Sequence, residues 1–324
     1  MQLSDFPHVA GIHCSSSSIA DILRYDGQAL PEAMVFGLGS GLGFVQSSDA
    51  RFSPQYRFNG RALDLEGKFF ALFGAPLAWA RRWAPEAIEA ALRQRRPVLA
   101  QTDIAYLPYY DRVHFPLHGI VVTGWDGEHA TVADTFSNEL QPVTAAELHD
   151  AMRGEGSPFM EEPFRFAPAP RIEARVDAQA IARSIEVTTR EMLEPAMSGT
   201  GLPAMRALAA SRKAWRDSPD WQWSARFGYQ AIEKRGTGGG GFRALYAAFL
   251  EEARPLVPSL ARVRAVERMR QSATRWSLMA QALKRAFVMD QPGAIEEAAA
   301  HLDDIAAFEG ALLADLRECV SALA

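Results

Sequence analysis

Cysteine is scarce in this sequence, with only Cys14 and Cys319 among 324 residues and no CxxC pair. The two cysteines are near opposite ends of the chain, which argues against a disulfide framework and against a zinc site built from cysteines. Without an HExxH motif either, we predict no metal site. A free thiol suits a reducing compartment, so we expect a cytoplasmic location.

The sequence also lacks long apolar runs and an excess of positive charge. No stretch approaches the roughly 20 apolar residues that span a bilayer. The opening residues, MQLSDFPHV, have no basic start and no apolar stretch after it, unlike a secretion signal. A formal net charge of -5 argues against a nucleic acid partner, which requires a basic face. We therefore expect neither a membrane nor a nucleic acid as a partner.

Phosphate-loop spacing is missing from the first glycine-rich stretch, FGLGSGLGF at 36–44. Its glycines fall at alternate positions rather than in a GxGxxG pattern, and no GK[ST] follows them. We expect a closely packed backbone beside the active site instead.

A second glycine-rich stretch, GTGGGG at 236–241, runs directly into FRALYAAFLEEA, which has the pattern of an amphipathic helix. Two interpretations remain open. The stretch is either a flexible linker or a phosphate site, in which the amides of Gly239 and Gly240 and the side chain of Arg243 hold the anion at a helix start.

The chain has two halves of different character. Up to about Phe166, short helical stretches alternate with β-like runs and turn signals, and the proline-bearing APAPRIE follows. From about Asp177 onward, apolar residues recur at helical spacing. The apolar faces of two helices consist of Trp276, Met279, Leu283 and Phe287, and of Ile295, Ala299, Leu302, Ile305, Leu312, Leu316 and Val320. We predict an α+β fold class, with a catalytic domain at 1–168 followed by an all-helical domain at 169–324.

Cys14 stands at the start of a predicted helix. In GIHCSSSSIADILRYDG, we interpret Ser15 to Ser18 as helix N-cap residues, and Ile19, Ile22 and Leu23 as the buried face. A helix start favours a thiolate over a thiol, and its N–H groups can donate to an oxyanion. The alternative is an inert core cysteine.

His118 and Asp134 flank a predicted hairpin. Gly119–Trp125 and Ala130–Thr135 read as strands joined by a turn at Asp126-Gly127. A two-residue loop would direct His118 and Asp134 to opposite faces. A three-residue loop or one bulge pairs Ile120 with Asp134 and brings the two side chains together. That register would let Asp134 orient His118, and His118 would deprotonate Cys14.

Other side chains compete for these roles. His114 and His129 are the main alternatives to His118, whereas His13 is adjacent to Cys14 and is badly placed for proton transfer. Asp103, which follows an apolar strand, is the main alternative to Asp134, and we expect Asp126 to be occupied by the turn.

Three segments carry a resemblance to a known family: GIHCSSSSIADILRYDGQALPEAMVFGLGSGLGF, LAQTDIAYLPYY and LHGIVVTGWDGEHATVADT. They resemble the family of butirosin biosynthesis protein H. The segment IEKRGTGGGGFRALYAAFLEEA is similar to the uncharacterised helical domain that often follows it. The resemblance implies a papain-like cysteine peptidase-type fold for the N-terminal domain. Peptidases of that type place an oxyanion-hole glutamine where this sequence has His8, so the second oxyanion donor is left open.

The resemblance also implies a function, because the founding member of the family transfers an acyl group from an acyl carrier protein to an aminoglycoside amine. By that resemblance, we expect a cysteine acyltransferase of specialised metabolism with Cys14, His118 and Asp134 at the catalytic positions. Its donor would be a phosphopantetheine thioester on a carrier protein, its acceptor a small-molecule amine, and no cofactor would stay bound. A peptidase or amidase with the same triad, and a non-catalytic binding protein, are the alternatives. A homodimer is left open, since the apolar helical faces can pack within the chain or against a second copy.

Overall fold

The computed structural model of the protein describes residues 1–155 and 162–323. Over these residues the α-helices are α1 (Cys14–Tyr25), α2 (Glu32–Leu38), α3 (Leu65–Leu72), α4 (Pro85–Arg93), α5 (Ala145–Arg153), α6 (Ala178–Leu193), α7 (Gly201–Ala210), α8 (Arg212–Arg216), α9 (Trp221–Glu233), α10 (Arg243–Ala253), α11 (Ser259–Arg262), α12 (Ala265–Val288) and α13 (Ala294–Val320). The β-strands are β1 (Leu42–Ser48), β2 (Tyr56–Arg61), β3 (Ala80–Arg81), β4 (Val98–Thr102), β5 (His118–Trp125), β6 (His129–Ala133), β7 (Gln141–Thr144) and β8 (Arg165–Pro168).

The protein is α+β, as its sequence predicts, and it divides into two compact units. Unit 1 comprises Met1–Val35 and Glu66–Ala174, and unit 2 comprises Phe36–Leu65 and Arg175–Ala324. This division differs from the predicted ranges 1–168 and 169–324, because residues 36–65 belong to unit 2. The chain re-enters unit 1 at Glu66. Their strands β1 and β2 pack in unit 2, where Phe44 and Phe58 contact the Trp276 ring.

Unit 1 is built on a six-stranded sheet with the order β3-β8-β4-β5-β6-β7, and its paired strands are antiparallel. Helix α1 packs against β5 at the centre of this sheet. Ile19, Ile22 and Leu23 are at most 1% exposed, which confirms them as the buried face of α1.

The cap of α1 differs from the prediction. His13, not a serine, is the N-cap residue, and its ring Nδ1 accepts from the Ser16 amide at 3.4 Å. Cys14 is the first residue of the helix, and Ser15 to Ser18 are buried within its first turns. An imidazole nitrogen here replaces the hydroxyl or carboxylate oxygen that usually caps a helix.

Unit 2 contains the helices α6 to α13 and the β1–β2 hairpin. The predicted apolar faces of α12 and α13 are buried along their length, apart from Phe287, which is half-buried against Tyr229. In the part of the chain that the structure describes, no helix combines the length and the apolar character that crossing a membrane requires.

The first glycine-rich stretch is closely packed, and its neighbours in unit 2 explain why. A Cβ on Gly37 would lie 2.0 Å from the Phe249 ring, and one on Gly43 would lie 2.5 Å from the Ala62 backbone. These glycines allow the end of α2 and the start of β1 to approach α10 and β2.

The second glycine-rich stretch is neither a flexible linker nor an open anion site. Gly241 adopts a φ of 59°, and a Cβ on Gly240 would lie 2.7 Å from the Ala273 carbonyl oxygen. Gly239 is held through its amide by the Thr237 hydroxyl at 3.0 Å. The loop is packed onto α12 in a conformation that favours glycine.

Arg243 is also unsuited to the phosphate contact predicted for it. Its side chain is 0% exposed, and its guanidinium donates to both Glu309 carboxylate oxygens at 2.8 Å. The same group donates to the carbonyls of Gly43, Gly60 and Gly241 at 2.7–3.1 Å. Because these internal acceptors occupy the charge, Arg243 joins the β1–β2 hairpin to the helices of unit 2.

Candidate active site

The β5–β6 hairpin has the register that the proposed site requires. Trp125 pairs with Ala130 across a four-residue connection, and a bulge at Thr123 shifts the register so that Val121 pairs with Ala133. One step further, this register sets Ile120 opposite Asp134. The Asp126 carboxylate accepts from the amides of residues 128 and 129, so it is occupied by the turn as predicted. The four-residue connection and the bulge together give the same register, with Ile120 opposite Asp134, that a three-residue loop without a bulge would give.

His118 and Asp134 meet through a direct hydrogen bond. His118 Nε2 lies 2.8 Å from Asp134 Oδ1, and both side chains are almost completely buried. Tyr109 donates its hydroxyl to Asp134 Oδ2 at 2.9 Å, and Tyr110 donates to Oδ1 at 3.1 Å. The Phe136 amide adds a further donor at 3.2 Å. Asp134 is therefore held from several directions while it faces the imidazole.

Cys14 is the second side-chain partner of His118. Hydrogen bonding and charge connect Cys14 with His118. Since Nε2 is used by Asp134, the sulfur is left with Nδ1. As the first residue of α1, Cys14 also lies at the positive end of the helix dipole, which stabilises a thiolate. The structure thus brings the three predicted residues together in the order Cys14–His118–Asp134.

The electrostatics of this cluster favour a protonated imidazole. Burial alone lowers the pKa of His118, but the charge and hydrogen bond of Asp134 and the contact with Cys14 raise it more, to about 10. Burial raises the pKa of Asp134, but His118, Tyr109 and the Phe136 amide lower it further, and the net shift is downward. An imidazolium beside an ionised carboxylate is the form that supports a thiolate at Cys14.

Two buried or half-buried carboxylates that no sequence motif marks hold the chain around Cys14. Glu32, from α2, accepts from the amides of Ile12 and His13 at 2.8 and 2.7 Å and from the Ser16 hydroxyl at 3.0 Å. Glu66, from α3, accepts from the Ser15 hydroxyl at 2.7 Å. These bonds fix both the approach to Cys14 and the first turn of α1.

Little in the sequence could have revealed these supporting side chains. The adjacent pair Tyr109-Tyr110 in LPYY is an unusual feature near His118, and it is the one available signal. Glu32 and Glu66 resemble ordinary acidic residues near helix starts, where they suit the helix dipole.

The competing histidines have other partners. His114 bonds Asp103 at 2.7 Å, so the two residues that competed with His118 and Asp134 pair with each other. His129 is exposed in the hairpin turn, where its ring lies 3.8 Å from Asp126. His13 caps α1.

His8 is the residue at which the sequence resemblance would predict an oxyanion-hole glutamine, and its ring has other partners. Nδ1 lies 2.6 Å from Asp21 Oδ2, and Nε2 lies 3.0 Å from the Asp134 carbonyl and 2.8 Å from the Ser137 carbonyl. Both nitrogens are therefore used within unit 1.

No metal site emerges from the described ranges, 1–155 and 162–323, where no group of three or more His, Cys, Asp and Glu side chains is arranged to hold a metal ion. The site consists of ionisable side chains and backbone groups of unit 1.

Comparison with known families agrees with the resemblance seen in the sequence. Residues 13–135 match the family Butirosin biosynthesis protein H, N-terminal, and this range contains Cys14, His118 and Asp134. Residues 146–316 match the Domain of unknown function (DUF4872), which covers more than half of the chain. No curated protein matches the sequence. The chain therefore belongs to the DUF4872 family, and its N-terminal part matches the N-terminal domain of butirosin biosynthesis protein H.

Proposed function

We propose that the protein is an enzyme of antibiotic biosynthesis or related specialised metabolism that transfers an acyl group from a thioester to an amine through Cys14. The observation that carries this proposal is the chain of contacts from Cys14 through His118 to Asp134, with the pKa of His118 raised to about 10. A thiolate–imidazolium pair is the reactive form of a cysteine nucleophile. The family supports the kind of metabolism, since it is named for butirosin biosynthesis.

The first half-reaction loads the enzyme. The Cys14 thiolate attacks the thioester carbonyl, backbone N–H groups at the start of α1 stabilise the oxyanion, and the carbon–sulfur bond to the donor breaks. The leaving thiolate takes its proton from His118, which becomes neutral. The products are an acyl-Cys14 thioester and the free donor thiol.

The second half-reaction unloads it. An amine attacks the acyl-Cys14 carbonyl, a carbon–nitrogen bond forms, and neutral His118 accepts the proton of the amine. The Cys14 thiolate leaves, which restores the starting ion pair. Asp134 favours the charged imidazole throughout. The donor best suited to this chemistry is a phosphopantetheine thioester, presented by an acyl carrier protein, and the acceptor is a small-molecule amine.

The test uses an acyl-pantetheine thioester and a primary amine. Mass spectrometry of the wild-type protein without amine should find the acyl mass on the Cys14 peptide, and addition of the amine should release it as an amide. His118→Gln should slow both steps by about 100-fold or more, within the usual range for a lost general acid–base group. His114→Gln, which removes a histidine bonded to a different carboxylate, serves as the matched control and should behave as wild type.

Two results would contradict the proposal. Free acid that no amine suppresses would identify a hydrolase with the same nucleophile. No acyl mass on Cys14, with any thioester tried and with the protein folded, would identify a protein that does not use Cys14 for catalysis.

A further inference from the structure

His8 is a buried titratable group outside the proposed triad, and its ring joins three segments of unit 1. Its side chain is 4% exposed. One ring nitrogen contacts Asp21, in the middle of α1, and the other contacts the carbonyls of Asp134 and Ser137, in the connection after β6. The ring therefore links the helix that carries Cys14 directly to the backbone that carries Asp134.

The contacts determine how many protons the ring carries. Nε2 faces two carbonyl oxygens, which accept hydrogen bonds but cannot donate them, so Nε2 must hold a proton. Nδ1 faces an Asp21 carboxylate that also accepts from Arg24 at 2.5 Å and from the Val9 amide at 3.3 Å. An oxygen pair that accepts from Arg24 and Val9 accepts from the ring as well, so Nδ1 donates too. Two donating nitrogens make His8 an imidazolium.

We propose that His8 is a positioning residue, whose protonated ring holds the Asp134 backbone against α1 and thereby directs the Asp134 carboxylate towards His118. The proposal rests on the proposed function for the reaction that is positioned. His8 does not reach the reacting atoms, because both of its nitrogens are used by Asp21 and the two carbonyls. The ring is a cationic link between the nucleophile helix and the connection that follows Asp134.

The charges around His8 give the link a defined pH dependence. The groups that face the ring are the Asp21 carboxylate, with Arg24 on its far side, and the two carbonyl oxygens. Burial lowers the pKa of His8, whereas Asp21 and the carbonyls raise it, and the net shift is upward. A raised pKa means that the link persists to a higher pH than an ordinary histidine would allow and is lost as the pH rises through that pKa.

Alkylation of Cys14 by iodoacetamide measures the triad without any substrate. Mass spectrometry follows Cys14 and Cys319 in the same sample, and Cys319 serves as the internal reference because burial raises its pKa. In the wild type, Cys14 should react faster than Cys319 at neutral pH, with an alkaline inflection where His118 loses its proton.

His8→Gln keeps one donor but removes the charge. We expect Cys14 alkylation to slow by about tenfold at pH 7, and the alkaline inflection to move to lower pH by about one unit, as expected from a lost charge-assisted bond. Asp21→Asn should move the inflection in the same direction. His129→Gln, in the exposed turn, should leave the profile unchanged. A purely structural role would lower the free energy of unfolding and leave the inflection where it was.

The outcomes separate this inference from the proposed function. If wild-type Cys14 reacts no faster than Cys319, the activated thiolate and the proposed function both fail. If it reacts faster but His8→Gln has the wild-type profile, the positioning proposal alone is overturned. Side-chain ¹⁵N NMR of the wild type decides the matter if the variants do not fold. Protons on both His8 nitrogens at pH 7 support the proposal, and a neutral ring overturns it.

Discussion

Asp134 has two kinds of neighbour, and they act on its carboxylate in the same direction. His118 supplies positive charge, and the hydroxyls of Tyr109 and Tyr110 supply donors from a region of low polarity. Burial and the negative charge of Asp134 raise the pKa values of both tyrosines, so they remain protonated donors at any working pH. The tyrosines thus keep Asp134 ionised despite its burial, and an ionised Asp134 keeps His118 charged.

The Tyr109 hydroxyl provides a test of this arrangement. Tyr109→Phe removes one donor to the Asp134 carboxylate, which should raise the pKa of that carboxyl by about one unit, equivalent to about 1.4 kcal/mol. Asp134 is ionised only above its pKa, and the site needs the ionised form. A higher pKa should therefore move the acid limb of the Cys14 activity profile to higher pH. The limb can be measured by acyl transfer or by alkylation.

Tyr106→Phe is the matched control, because its hydroxyl donates to the carbonyl of Glu155 and not to Asp134. An acid limb that stays in place in Tyr109→Phe, or that moves equally in Tyr106→Phe, would contradict the role assigned to Tyr109.

Among the elements of unit 1, the hairpin determines whether His118 and Asp134 can meet. Its bulge leaves Thr123 unpaired. If Thr123 paired with Val132 instead, residues 118–122 would shift by one position relative to Asp134, and His118 would face the other side of the sheet from it. The N-terminal segment also depends on this point, since the Leu3 amide donates to the Thr123 carbonyl at 2.8 Å.

One glycine inserted between Val121 and Val122 should therefore abolish the fast alkylation of Cys14, because residues 118–121 would move one position out of register with Asp134. One glycine inserted after Gly127 should have little effect, since it lengthens an exposed turn beyond the bulge. Circular dichroism shows whether each variant retains its secondary structure. A folded variant with the insertion between Val121 and Val122 and with wild-type alkylation would show that the register is not required.

The elements also show which parts of the fold can be predicted from sequence. Apolar residues at helical spacing predict α1, α12 and α13, and Asp126-Gly127 between apolar runs predicts the β5–β6 turn, because these patterns are local. The register was a conditional prediction, since a bulge leaves no mark in a strand sequence. The predicted N-cap of α1 was wrong, because serine is a typical cap residue and the histidine before the four serines is not.

At the scale of the whole molecule, the most consequential buried charge lies in unit 2. Arg243 and Glu309 are both 0% exposed, and Glu309 also accepts from Ser272 and from the Trp276 indole. A buried charge without its partner is costly, whereas an exposed pair contributes little.

Arg243→Met should lower the free energy of unfolding by about 3–5 kcal/mol, since it leaves the Glu309 charge buried and unpaired. The double variant Arg243→Met/Glu309→Leu should recover part of this loss. Arg285→Met, which breaks an exposed pair with Glu297, should cost less than about 1 kcal/mol. Urea unfolding followed by tryptophan fluorescence measures all three, and equal stabilities for the Arg243 and Arg285 variants would contradict this role.

Arg243 also shows why the predicted phosphate site was harder to judge from the sequence than the Cys14–His118–Asp134 cluster. A glycine-rich stretch followed by an arginine is equally compatible with anion binding and with internal packing, and only the position of Glu309, 66 residues later in the chain, distinguishes them. Cys14, His118 and Asp134 were easier to predict, since Cys14 lies at a helix start and one hairpin brings His118 to Asp134, and both are local patterns. Glu32, Glu66 and Tyr109 reach the site through tertiary packing, which has no sequence pattern of its own.

The excursion of residues 36–65 into unit 2 has a consequence for synthesis on the ribosome. The β1–β2 hairpin is synthesised long before α12, whose Trp276 contacts Phe44 and Phe58. These two aromatic side chains therefore lack that contact while residues 66–174 are translated. Helix α1 likewise lacks its packing contact until β5 has been synthesised. A chain released before α12 is complete would therefore expose aromatic surface from its N-terminal half, which makes early termination products of this protein candidates for chaperone binding.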